Sequence, residues 1–341
     1  NLDVEAGPPT GEPADLIGRL RRRADLARAS LDGVELPSAD EEAWRYSRIA
    51  ELDLDDFAAV PASPSGEVPP LADPLLHLGS AATVHLADGQ VSGIDLSPEA
   101  SALGVRVVRV READLDIVVA RDTELLGSFL AEGLDPFAQF ALGGSVDPVL
   151  IVVPPRVVVP GPITVVQDGT TSGAAVPSHV LVLAGAASEA TVIEWVARQG
   201  ANSLTVPLVE LVVAQAANLR YVQIQHQPDT TWQIGNLRSV VAKDATLGLF
   251  HAGFGGSYVR QRTDCRLVGR GATGNLDALY FGDADQTLDF RTFQIHDAPD
   301  TTSNLMFTGA VGGRARTIYT GLIRIEKAAR GSNAFQTNRN L

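Results

Sequence analysis

The feature that most restricts this chain is a spacing. From His251 to Leu341 short apolar runs alternate with turn formers at a density few folds can use: Tyr258–Val259, Cys265 to Val268, Leu276 to Tyr280, Thr292 to His296, Leu305 to Phe307, Thr317 to Tyr319 and Leu322 to Ile325. Each reads as a strand of about two to five residues. Gly269 to Gly271, Gly282 to Asp285, Asp297 to Asp300 and Gly312–Gly313 separate them, supplying positive-φ positions or side chains that bond their own backbone. An Ala followed by a small polar residue precedes an apolar run at Ala190–Thr191, Ala217–Asn218, Ala245–Thr246 and Ala272–Thr273. The interval of about 27 residues lies in the range of repeat architectures. A strand and turn repeating at that period predict a parallel β-solenoid, in which each coil buries its inward side chains on the coil before it. The competing reading is an antiparallel sandwich, which also spaces short strands by turns.

Composition supports stacked strands. Apolar residues make up 45% of the chain and aromatics only 6%, so Val, Leu, Ile and Ala must fill the interior. The net charge is −14 over 341 residues, long enough for two or three domains. Such a chain repels phosphate backbones, and no basic stripe with interleaved aromatics offsets this, which argues against nucleic-acid binding. No apolar run approaches the roughly 18 to 20 residues that span a bilayer, which argues against membrane insertion. The single cysteine, Cys265, excludes an internal disulfide framework and fits a reducing cytoplasm. The chain opens on Asn and stops abruptly at Leu341, so both termini are expected to be cut short.

Three regions follow in order. Residues 1–60 read as a polar tail and a helical segment, 61–133 as a linker and small α/β segment, and 134–341 as the solenoid core. After Pro13, Leu16, Leu20, Ala24, Ala27 and Leu31 form one apolar helical stripe ending before Gly33, with Arg19, Arg21, Arg22, Arg23 and Arg28 on faces expected to meet solvent. Ser38 is placed to cap a second helix whose first turn holds Asp40, Glu41 and Glu42. Trp44 and Tyr46 are expected there as packing anchors. Ala58 to Pro74, with five prolines, resembles a linker. Val84 to Leu86 and Val91 flank the turn Asp88–Gly89, Val105 to Val110 and Ile117 to Val119 follow as strands, and Asp122 to Ala131 reads as a helix. Phe137 to Leu142 and Val149 to Val166 then enter the strand-rich region.

No residue emerges as catalytic, cofactor-binding or metal-binding. The six histidines, His77, His85, His179, His226, His251 and His296, include no pair at clamp spacing. His296, at a turn, is expected to cap backbone groups. Cys265 lies between Asp264 and Arg266, and strand alternation turns it inward if both neighbours face water. No GxSxG, HExxH, CxxC or Walker string occurs, and Gly253 to Gly256 lacks the Lys of a phosphate cradle. Asp283, Asp285 and Asp289 support an alternative reading, a calcium-dependent, pectate-lyase-like enzyme acting on polysaccharides.

Several stretches resemble a known family. HisAspAlaProAspThrThrSer (His296 to Ser303), TyrThrGlyLeuIleArgIle (Tyr319 to Ile325) and AlaPheGlnThrAsnArgAsnLeu (Ala334 to Leu341) are similar to the core domain of the SUF iron–sulfur assembly proteins, in the wording of the SufD branch of the SufB/SufD family. TrpArgTyr at Trp44 to Tyr46, Pro136 to Leu142 and Ile151 to Ile163 extend the resemblance over about Leu36 to Leu341. It implies a mainly β chain with a right-handed parallel β-helix core. It also implies a cytoplasmic scaffold rather than an enzyme, one that pairs with a SufB-like paralogue and binds a SufC-like ATPase. The cluster would be transient and held at the SufB/SufD interface, with no cofactor on this chain alone. The family's Cys/His pair facing SufB would fall beyond Leu341. A solenoid end with unpaired backbone groups further predicts weak self-pairing into a homodimer.

Overall fold

The computed structural model describes residues 16–31, 36–60, 79–111, 125, 129 and 132–341. The expected linker from Pro61 onward, His77, the strand at Ile117 to Val119 and most of the helix expected over Asp122 to Ala131 lie outside them. In chain order the elements are α1 (Leu16–Ala29), β1 (Ala58–Ala59), β2 (Ala82–Ala87), β3 (Gln90–Leu96), α2 (Pro98–Ala102), β4 (Arg106–Arg109), α3 (Pro136–Gly144), β5 (Val149–Val153) and β6 (Ile163–Asp168). The coils continue with β7 (Ala174–Ala184), β8 (Glu189–Ala197), β9 (Leu204–Val213), β10 (Asn218–Gln227), β11 (Trp232–Val241) and β12 (Thr246–Gly255). They end with β13 (Tyr258–Leu267), β14 (Thr273–Gly282), β15 (Thr287–His296), β16 (Thr302–Val311), β17 (Arg316–Ile325) and β18 (Asn333–Asn340).

From β5 onward the chain alternates between two sheets. Odd strands stack in one and even strands in the other, all parallel. The result is a parallel β-solenoid of about seven turns. Partners such as Trp232 and Tyr258, or Thr302 and Asn333, stand one coil apart, so a coil takes 26 to 31 residues. The sandwich reading fails on this pairing.

The strands are longer than the apolar runs suggest. Tyr258–Val259 and Cys265–Leu267 are two ends of the single strand β13, because inward Gln261 and Thr263 interrupt the apolar text without interrupting the pleat. The alanine signal marks a column just before the even strands. Ala217, Ala245 and Ala272 are buried there, and the amides of Thr246, Thr273 and Thr302 donate to their carbonyls at 2.9 Å. Ala190 does not belong to it. It lies inside β8 opposite Leu219, and Ser188 holds the column position instead.

One residue earlier stands a second column. Ala187, Ala216, Asp244, Gly271, Asp300 and Gly331 all have φ between +56 and +76°. Each of the first five donates its amide to a carbonyl of the next coil. This left-handed geometry costs an L side chain roughly 1–2 kcal/mol, partly offset because glycine loses more chain entropy on folding. Gly271→Ala is therefore expected to lower the unfolding free energy by about 1 kcal/mol, measurable by urea titration.

Among the described residues, α1, the turns over 36–57 and α3 clad the odd-strand sheet. All ten positions of β9 are buried, half of them facing outward under this cladding. On α1, Leu16, Ile17 and Leu20 pack on Leu150, Leu181 and Val212. The arginines of α1 do not simply face solvent. Arg21 donates to the carbonyls of Val110 and Arg111, Arg23 grips Glu210, and Arg28 donates to the carbonyl of Gly143. Phe137 to Leu142 form helix rather than strand, because Asp135 caps the Ala138 amide and Pro136 occupies the first turn. Residues 38–47 form successive turns rather than a helix, although Glu41 accepts from the Ser38 amide and the Ser38 hydroxyl accepts from the Asp40 amide. Trp44 packs on Phe137 at 5.5 Å, whereas Tyr46 is 69% exposed and anchors nothing.

The α/β segment extends both sheets. Asp88 and Gly89, both at positive φ, turn β2 into β3, and β2 lies parallel on β6 while β4 lies antiparallel on β5. Val84, Leu86 and Val107 share one core with the coils. Ala58 and Ala59 pair with β7 instead of beginning a linker. Among the described residues no helix is long and apolar enough to cross a membrane.

Candidate functional site

Along the inner face of the even-strand sheet one row reads Val165, Glu194, Gln223, His251, Ala278, Phe307, one residue per coil. Three successive members are polar and buried between the sheets. A buried carboxylate must be hydrogen-bonded to persist, and Glu194 is. Gln167 donates to one of its oxygens at 2.5 Å and Gln223 to the other at 2.6 Å. Burial raises its pKa, against the opposing pull of these amides. Because the Gln223 nitrogen faces Glu194, its Oε1 is left as the acceptor 2.9 Å from His251 Nδ1. That contact fixes the proton on Nδ1. His251 Nε2 then carries a bare lone pair, buried and with no protein partner.

Burial lowers the His251 pKa to about 4, so the ring is neutral near pH 7. The unfolded chain binds this proton near pH 6.5 while the folded chain does not. The His251 contribution to stability therefore falls as pH drops from about 6.5 toward 4, and that contribution changes no further below it. His251→Gln is expected to remove a loss of about 3 kcal/mol from that window, seen as a flatter plot of unfolding free energy against pH than the parent chain gives.

Beyond His251 the interior changes character. Phe290 lies 4.6 Å from Tyr280 and 5.7 Å from Phe307, which lies 5.5 Å from Tyr319. Phe290 also meets the His251 ring edge-on at 5.6 Å. The polar row thus ends against stacked rings.

The residues singled out in the sequence do not converge. Cys265 points inward, as alternation requires, while Asp264 and Arg266 point outward, Arg266 pairing with Asp297 at 2.7 Å and with Glu132. Burial pushes the Cys265 thiol up to about 11, so it is protonated near neutrality. His296 is buried, but its partners are hydroxyls rather than backbone: Thr301 at 2.7 Å on Nδ1 and Ser303 at 3.0 Å on Nε2. Burial also lowers its pKa. Asp289 is enclosed by Arg260, Arg291 and the Tyr258 hydroxyl, Asp285 pairs with Arg314 at the surface, and Asp283 accepts from the Ala284 amide within its own turn. The three carboxylates are each spent on a different partner. Gly255 and Gly256, both at positive φ, form the tight connection from β12 to β13 and pack closely on the Gln227 carbonyl and the Val259 side chain. Among the described residues no group of three or more His, Cys, Asp and Glu could hold a metal.

Two clusters escaped the sequence reading. Glu210 on β9 receives Arg23 at 2.6 Å, His179 at 3.0 Å and Arg238 at 3.1 Å. Arg260 bridges Asp289 and the carbonyl of Ala43, with its guanidinium 3.7 Å from the Trp44 ring centre. A signal for the first was present. Glu210 and Glu194 are single carboxylates inside otherwise apolar strand text, and a charge there demands a partner from elsewhere. The remaining histidines are dispersed: His85 on β2, His226 on the outer face of β10 beside Trp195, and His179 under α1.

A family model described as SUF system FeS cluster assembly, SufBD core domain, matches residues 165–341, from β6 to β18. An iron–sulfur cluster assembly SufBD family protein of Mycobacterium leprae is 26% identical over 93% of this chain and 72% of its own length. One from Mycobacterium tuberculosis is 32% identical over 53% of the chain, and the match spans 46% of that protein. One from Staphylococcus epidermidis is 25% identical over 39% of the chain and 29% of its own length. Matched over more than half its residues, and matched along the coils themselves, the chain belongs to the SUF-system family of iron–sulfur cluster assembly proteins that share the SufBD core domain.

Proposed function

We propose that this chain is a non-catalytic scaffold subunit of a cytoplasmic iron–sulfur cluster assembly complex, of the SufD type, pairing with a SufB-like paralogue and binding a SufC-like ATPase. The observation that carries this reading is the coincidence of the family match with a rigid solenoid whose chemically promising side chains are turned to structural use. Cys265 and His296 are buried and internally bonded or protonated, which suits a frame better than a reaction centre. The cluster is the complex's cargo, held between subunits rather than by this chain alone.

Co-expression with a SufB-like and a SufC-like protein tests the reading. The chain is expected to co-purify with both on size exclusion, and the complex to gain iron and sulfide in reconstitution. Elution of the folded chain by itself from such a mixture would remove the assignment. His296→Ala and Cys265→Ser are each expected to leave cluster yield in that complex largely unchanged. A variant that folds and binds both partners yet yields no cluster would move the reaction centre into the described residues.

A further inference from the structure

The two sheets are covered differently. On the odd-strand sheet α1 and α3 lie with their apolar sides against the strands. On the even-strand sheet the outward face of β12, β14 and β16 is open. Phe250, Leu279, Phe281 and Met306 point out from it and are 37 to 56% exposed. Phe250 and Met306 stand in register on either side of Asp277, while Leu279 and Phe281 follow Asp277 on the same face of β14. Half-buried Val222 and Ile224 carry the strip on to β10. The four open side chains together present on the order of 400 Å² of apolar surface, a size that is often functional on a monomer.

One carboxylate sits inside this strip. Asp277 has no hydrogen-bond or ion-pair partner among the described residues. Desolvation raises its pKa, and no neighbouring cation pulls the other way. A carboxylate held among apolar side chains without a partner is unfavourable. A cation brought to it gains both the charge pair and the hydrogen bonds that this face does not supply. The rest of the chain is a poor source, because outside the described residues Arg121 is the only Lys or Arg. A second copy is a poor source too, since each copy carries a net charge of −14.

We infer that this face docks one amphipathic helix of a partner protein, whose apolar side carries a single Lys or Arg placed against Asp277. The dimensions fit. Three even strands about 4.8 Å apart and four residues of about 3.3 Å each make a strip roughly 10 by 13 Å, and a helix is about 10–12 Å across. The odd-strand sheet already accepts a helix in this manner, with Leu16, Ile17 and Leu20 of α1 on the strands and Arg23 on Glu210. The inference stands independently of the SufB-like and SufC-like partners proposed above.

Designed peptides supply the probe. A helical peptide of about four turns, with leucines along one side and one arginine among them, is titrated into the full chain by fluorescence anisotropy, beside the same peptide with glutamine in place of the arginine. The arginine peptide is expected to bind about tenfold more tightly. Asp277→Asn should erase that ratio, and Leu279→Ser should weaken both peptides; both side chains point away from the core, so neither change opens it. Followed by carbon-13 NMR, the Asp277 carboxyl should titrate at lower pH with the arginine peptide bound and at higher pH with the glutamine peptide bound. Equal affinities for the two peptides, or a ratio that survives Asp277→Asn, would overturn the inference. Self-association of the unsubstituted chain that Leu279→Ser abolishes would overturn it as well, because the occupant would then be a second copy.

Discussion

Replacing Glu210 with glutamine is expected to lower the unfolding free energy by about 3–5 kcal/mol, the range for breaking one side of a buried ion pair. Glu210 has no solvent exposure and three partners, and two of them are obligate cations. Arg23 reaches it from α1 through two hydrogen bonds of 2.6 and 2.9 Å, while Arg238 and His179 come from the neighbouring strands β11 and β7. Burial alone would raise its pKa, but Arg23 and His179 outweigh burial and hold the carboxyl well below the usual range. A carboxyl depressed in the folded state stabilises above its unfolded pKa of about 4.5, and that contribution is lost as pH falls below it. The glutamine variant should therefore lose both stability at pH 7 and part of the parent's acid sensitivity. Urea titrations of Glu210→Gln, Arg23→Ala and the double variant measure the coupling directly. A coupling below about 0.5 kcal/mol would mean that α1 is held by its apolar face alone.

Phe290→Ala should cost a similar amount, about 3–5 kcal/mol, by a different route. The ring is 1% exposed and touches Tyr280, Phe307 and His251, so its removal opens a void between two sheets whose pleats resist collapse. The urea midpoint should drop while the slope stays constant, since the surface exposed on unfolding barely changes. A cost under about 1 kcal/mol would show that the coils close over the gap.

The repeat was legible because parallel coils impose it on the turns, where Ala, Gly and Asp leave a visible signature. Strand length was not, since inward Gln261 and Thr263 look like strand ends when only apolar residues are counted. Alternation placed Cys265 correctly because that rule depends on local geometry alone. It could not place Arg23, whose role depends on a carboxylate in a strand far along the chain. The helix α3 hid for a related reason: buried against both α1 and the outer face of β9, it is apolar on most sides, and an apolar heptad reads as strand as readily as helix. Of the interior site, Glu194 was readable as an anomaly. The tautomer of His251 was not, because it follows from the order in which three coils stack.

The Arg23–Glu210 pair spans 187 residues of sequence. At a synthesis rate of about 5–20 residues per second, α1 leaves the ribosome roughly 10 to 40 s before the strand it clamps. Until β5 and β7 are made, Leu16, Ile17 and Leu20 have no sheet to cover, and until β9 follows the helix lacks the ion pair that clamps it. The coils can grow by adding one strand pair at a time, but the cladding must wait for the third odd strand of the stack. Nascent chains arrested before and after Val213 should differ sharply in protease resistance at α1, and a chaperone that shields a short apolar helix would act within that window.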